Sequence, residues 1–222
     1  MPLLILSILG TLGMVISQYF IFIYAPIEAH MGIVQKIFYI HLPLAWWSFM
    51  SFFIVFIASI AYLRTRSSKW DNVAKASAEV GVMLSVLAII TGSIWARHSW
   101  GVWWTWDPRL TTALIMCFIY TGYLVLRGLD MSPSRNANIR AVVGIVAFID
   151  VPLVFLSARL WRSIHPAVFA SEGGGLDEAM KITLIVCLTC FGFVWGALTL
   201  FRQRQLNQET KIEELFNIQR NY

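Results

Sequence analysis

The chain has 222 residues, 58% of them apolar and only 13% charged. An average soluble domain carries roughly 45–50% apolar and about 25% charged residues, so this composition argues against a cytosolic enzyme, a disordered tail and a nucleic-acid binder. A mean hydropathy of +0.69 with a net charge of +5 instead describes a membrane protein whose excess cations mark one side of the bilayer.

A helix needs about 20 largely apolar residues to cross ~30 Å of hydrocarbon, and six stretches meet that requirement. The expected fold class is therefore all-α, a single six-helix membrane domain over residues 1–222. The first span, 3–25, is charge-free and lacks the basic start, short apolar core and small-residue cleavage site of a removable leader. The second, 40–63, lies between Lys36 and Arg64 and opens on His41; the third, 77–96, holds Glu79 alone. A tryptophan-rich outer loop, 97–108, leads to the fourth span, 109–127.

The fifth span, 141–158, contains Asp150, an ionisable group where one is costly and hence a functional candidate. Pro152 removes a helix hydrogen bond and frees the carbonyl of Phe148. Asp150 is thus expected either to satisfy that loosened backbone or to line a cavity. The sixth span, 182–201, carries Cys187 and Cys190, read with Cys117 as small apolar fillers. Gly192 and Gly196 form a G-x-x-x-G pair expected to pack closely. The tail, 202–222, reads as a solvated amphipathic helix.

Charge sets the orientation. Arg64, Arg66, Lys69, Lys75, Arg127, Arg135, Arg140, Arg202, Arg204, Lys211 and Arg220 place eleven cations on one side; Lys36, Arg97, Arg109, Arg159, Arg162 and Lys181 place six on the other. The positive-inside rule then puts both termini in the cytoplasm and the loops 26–39, 97–108 and 159–181 outside. His30, His41, His98 and His165 all fall in or beside those outer loops, as do eight of the ten tryptophans. The chemistry is expected on the outer face.

Trp100, Trp103, Trp104 and Asp107 recur at i, i+3, i+4 and i+7, which predicts one face of an interfacial helix. With Trp106 it would make a flat aromatic shelf suited to a large planar ligand; a plain interfacial anchor is the alternative. Asp107 also reads as the N-cap of the fourth span, with Pro108 at its first position. No nucleotide-binding loop, metalloprotease motif or catalytic triad pattern is present.

The run Trp100-Gly101-Val102-Trp103-Trp104-Thr105-Trp106-Asp107-Pro108-Arg109-Leu110-Thr111 resembles the WWD signature of the haem-handling proteins of cytochrome c maturation. The resemblance extends to Lys36–Pro43, to Thr91-Gly92-Ser93-Ile94-Trp95 and to Asp150-Val151-Pro152 followed by Trp161 and His165. Within that group the chain is similar to the six-span haem exporter protein C family. The resemblance implies a carrier rather than an enzyme, which holds non-covalent, transient b-type haem at the outer surface. It implies His41 and His165 as axial ligands of the haem iron, and the shelf Trp100, Trp103, Trp104, Trp106 and Asp107 against the ring. Lys36 and Arg109 become the candidates for pairing the propionates, with Asp150 and Trp161 as possible cavity lining; His30 and His98 have no assigned role. The implied partners are a membrane-anchored haem chaperone, the membrane and ATPase subunits of an ABC transporter, a small single-span accessory protein and membrane lipid, in a bacterial inner membrane or an organellar one. A membrane b-type cytochrome and a structural subunit anchored by its Trp-rich loop remain the alternatives.

Overall fold

Prolines, glycines and apolar runs set where each helix begins and ends. The computed structural model describes residues 1–29, 31–126, 132–161, 163–165 and 176–220. His30, Arg127, Arg162, Gly173 to Gly175 and the Arg159 side chain lie outside that description. Among the described residues seven α-helices follow in chain order: α1 Pro2–Tyr19, α2 Phe38–Thr65, α3 Ser68–Trp100, α4 Pro108–Val125, α5 Pro133–Ala147, α6 Asp150–Leu160 and α7 Glu178–Arg220. With α5 and α6 counted as one broken segment, six helical segments are long and apolar enough to cross a membrane, as expected. No β-strand occurs among the described residues.

Helix α1 ends in a π-turn, Phe20–Tyr24, whose last bond runs from Ala25 N–H to the Phe20 carbonyl at 2.8 Å. Pro26 has no N–H to offer the Phe22 carbonyl four residues back. Lys36 supplies the missing donor from the other side of the loop: its Nζ donates to the Phe22 oxygen at 3.0 Å and lies 5.7 Å from the Phe22 ring centroid. A cation at a helix C-terminus also complements the helix dipole. A 3-10 turn, Ile33–Ile37, then leads into α2.

Helices α2 and α3 form an extensively packed hairpin; α1 lies on α7, α2 also on α5 and α7, α3 on α4 and α7, and α4 on α6. Their centre is aromatic: Phe52 of α2 stacks on Tyr120 of α4 with ring centroids 3.7 Å apart, both fully buried. The sequence places Gly192 and Gly196 on one close-packing face, and the structure separates them. An added Cβ on Gly192 would stand 2.5 Å from the Trp47 indole, whereas one on Gly196 would meet Leu6 at an ordinary 3.7 Å. Gly192 is therefore the recess for Trp47, whose Nε1 donates to the Leu188 carbonyl at 2.9 Å and whose ring stacks on Trp195. Cys117, Cys187 and Cys190 are free and buried, as apolar fillers should be.

Several boundaries differ from expectation, among them that α5 starts at Pro133 rather than 141 and that α3 runs on to Trp100. Helix α3 starts at Ser68, nine residues before 77, because its polar first turns have partners: Asp71 pairs with Arg140 of α5 at 2.8 Å, and Asn72 donates to Asn207 and Thr210 of α7. The sixth span continues without a break through the tail to Arg220, with Leu206 buried and Arg202 paired with Glu79. The fifth span breaks at Phe148 and Ile149, between α5 and α6. The Phe148 carbonyl, deprived of a donor at Pro152, is not left free; the Val151 N–H takes it at 3.1 Å in a tighter turn.

Candidate functional site

A cavity of about 710 Å³ lies among α2, α3, α4, α6 and the segment Ser163 to His165. That is the size of a cofactor pocket, roughly 300–1,000 Å³, and its wall is mostly apolar. Into it face His41, His165, Arg109 and the indoles of Trp95, Trp100 and Trp104.

His41 is held from one side. Its Nδ1 lies 3.0 Å from the Ala88 carbonyl and 3.2 Å from Thr91 Oγ1. A carbonyl only accepts, so Nδ1 carries the proton and Nε2 keeps its lone pair. That is the arrangement of a metal-ligating imidazole, whose other nitrogen is fixed by a backbone or carboxylate acceptor. Gly92 makes the space: a Cβ there would stand 3.0 Å from His41 Cε1 and 3.4 Å from Nδ1. Gly92→Ala should therefore displace the ring and weaken ligand retention about tenfold. The fold should hold, because Ala is favoured over Gly within a helix by about 1 kcal/mol. Titration of haem into the purified variant, beside its melting curve, checks both halves.

The tryptophan loop is not a helical face. Gly101, with φ +75°, ends α3 in the left-handed conformation that glycine adopts without strain. Asp107 then starts α4, accepting from the Arg109 N–H at 2.9 Å, with Pro108 in the first position. Between these two stops the chain is irregular, so the expected i, i+3, i+4 spacing has no helix to act on. Trp100 and Trp104 face the cavity, while Trp103 and Trp106 are 60% and 77% exposed. The expected single shelf is thus split in two. Trp95, not counted in it, joins the wall and meets Trp100 edge-on at 5.4 Å.

Other expected site residues stand elsewhere. Lys36 donates to the Phe22 carbonyl and does not line the cavity, so the structure does not bring it together with Arg109. Asp150 is buried but does not line the cavity, and its Oδ2 has no hydrogen-bond partner among the described residues. Trp161, just past α6, is 57% exposed and also outside the wall. His98 is exposed on the last turn of α3 and does not line the cavity. The guanidinium of Arg109 faces the cavity with no hydrogen bond or ion pair to a described residue. Sequence reasoning missed the roles of Ala88, Thr91 and Gly92, although the Thr91-Gly92 run stood inside the resemblance. Their distance from His41 along the chain concealed them.

The donor set and the shape fit haem: two imidazoles for iron, a flat aromatic wall for the ring, and in Arg109 a cation for a carboxylate. Comparison with known proteins agrees. The family model for Heme exporter protein C matches residues 2–216. The chain belongs to this family. A Heme exporter protein C from Bradyrhizobium diazoefficiens is 38% identical over 183 residues, covering 81% of this chain and 69% of that protein. One from Rhodobacter capsulatus is 31% identical over 190 residues, covering 82% and 77%. A putative cytochrome c biosynthesis ccmC-like mitochondrial protein from Marchantia polymorpha is 28% identical, covering 82% and 78%. Haem exporter protein C acts in haem transport and cytochrome c biogenesis, and this member is a multi-pass membrane protein.

Proposed function

We propose that the cavity holds non-covalent b-type haem between His41 and His165 on the periplasmic face of an inner membrane. The haem then passes to a membrane-anchored chaperone. The ABC transporter's membrane and ATPase subunits and the small single-span accessory protein complete the assembly. The observation that carries this reading is the convergence of both imidazoles, Arg109 and three tryptophans on one cavity. Arg109 is placed to take a propionate, bidentately as guanidinium does with carboxylates. None of the three cysteines lines the cavity, which suits a cargo that must leave rather than one attached by thioether bonds.

A membrane b-type cytochrome would hold its haem between helices at mid-bilayer. Here one imidazole sits near a helix start and the other on the irregular segment Ser163 to His165. A ligand carried on a segment outside any helix can withdraw without unpacking the bundle, and this favours transfer over permanent retention.

Purification from cells that make haem tests the reading directly: the protein should carry a Soret band that falls when an apo-chaperone is added. A colourless preparation would return the Trp loop to an anchoring role. Sidedness is tested separately. Val102, 44% exposed, and Ser134, exposed at the start of α5, are suited to cysteine labelling; Thr105 is not, because its hydroxyl is buried. Val102→Cys should react with an impermeant thiol reagent from outside and Ser134→Cys should not. The reverse pattern would invert the topology.

A further inference from the structure

Asp107 is 8% exposed, and its carboxylate serves two elements at once. Oδ1 accepts from the Arg109 backbone N–H at 2.9 Å, which is the ordinary work of an N-cap. The same Oδ1 accepts from Ser163 Oγ at 3.0 Å, and Oδ2 accepts from the Ile164 backbone N–H at 2.9 Å. Ser163 Oγ in turn accepts from the backbone N–H of His165 at 3.1 Å. Only the first of these four bonds is needed to start a helix. Of the other three, two tie Ser163 and Ile164 to the start of α4, and the third ties the His165 backbone to Ser163.

Residues 163 to 165 are not helical, so no repeating backbone ladder determines where this segment lies. A buried carboxylate does so instead. It is itself stable there only while its lone pairs are occupied, so carboxylate and segment each require the other. We propose that Asp107 is a positioning residue for His165: it latches Ser163 and Ile164 onto the N-terminus of α4 and thereby sets the imidazole in the cavity wall. The inference rests on the reading of His165 as an iron ligand. It also supplies a route for release. Opening the two bonds from Asp107 to Ser163 and Ile164 releases that segment from the start of α4, while the Arg109 bond keeps α4 capped and His41 stays held by Ala88 and Thr91.

The geometry provides a variant that separates the two jobs of Asp107. In Asp107→Asn only one terminal atom accepts, so the amide oxygen can cap α4 and keep Ser163 while its NH2 opposes the Ile164 N–H. Ser163→Ala removes the Ser163 side-chain bonds to Asp107 and His165 and leaves the cap untouched. Haem-loaded Asp107→Asn and Ser163→Ala should shift from a six-coordinate towards a five-coordinate absorption spectrum. Haem should dissociate about tenfold faster, the scale set by losing a partner that orients a metal ligand. Helix content should be unchanged, and added imidazole should restore the six-coordinate spectrum. His165→Ala is the reference. A changed spectrum in His165→Ala with wild-type spectra in both other variants overturns the latch and leaves the ligand reading standing. A wild-type spectrum in His165→Ala overturns the ligand reading itself. If Asp107→Asn does not accumulate, Ser163→Ala alone decides between these outcomes, because it does not touch the α4 cap.

Discussion

Replacing His41 by Ala should strip most of the haem from the purified protein, with affinity falling more than about 100-fold. That exceeds the 10- to 100-fold usual when a supporting group behind a metal ligand is lost, because here the ligand itself goes. Nδ1 is occupied by the Ala88 carbonyl and Thr91, so under the proposed ligation Nε2 is the nitrogen that meets iron. Truncation leaves a ring-sized space beside Gly92, so added imidazole should partly restore both retention and spectrum. His98→Ala is the control. His98 is exposed outside the cavity, and its removal should leave the spectrum as it was. A wild-type spectrum in His41→Ala would end the assignment.

The second large effect divides the tryptophans. Trp100→Ala and Trp104→Ala should each weaken haem retention about thirtyfold, roughly the 2 kcal/mol associated with a buried aromatic anchor. Trp103→Ala and Trp106→Ala should change retention less than about threefold, because their indoles point away from the cavity and are mostly exposed. Under the proposed handover, a receiving protein docks over this loop, so the outer pair should slow transfer instead. Retention measured by haem titration and transfer followed spectrally to an apo-chaperone separate the two. Equal loss of retention in all four variants would restore the single aromatic shelf. Disappearance of the Trp104 variant from the membrane, with its residual protein still holding haem, would favour the anchor.

These two expectations differ in how far the sequence anticipated them. His41 was legible because it sits in a motif at the mouth of an apolar span. The division of the tryptophans was not. Their spacing fits a helix, but Gly101 and the Asp107-Pro108 pair interrupt it on either side, and the side chains then point where tertiary contacts allow. Lys36 shows the same limit. Its position on the outer side is plain from the chain, yet its partner is the carbonyl left without a donor by Pro26, an acceptor visible only once α1 and the start of α2 lie together.

What the amino-acid order determined by itself is the number of spans, the charge asymmetry between their two sides, and the local stops at Gly101, Asp107 and Pro108. Hydrocarbon thickness and the need to satisfy every backbone group within the membrane allow few other outcomes, and caps act over one turn of chain. Tertiary structure decided the rest. His41 meets its acceptors 47 and 50 residues away, and Asp107 meets Ser163 and Ile164 at 56 and 57. Such pairs depend on how each helix is rotated about its own axis, and that rotation follows from packing such as Trp47 in the Gly192 recess and Phe52 on Tyr120. Hydropathy carries no record of it, because lipid and a neighbouring helix present equally apolar surroundings to the same side chain.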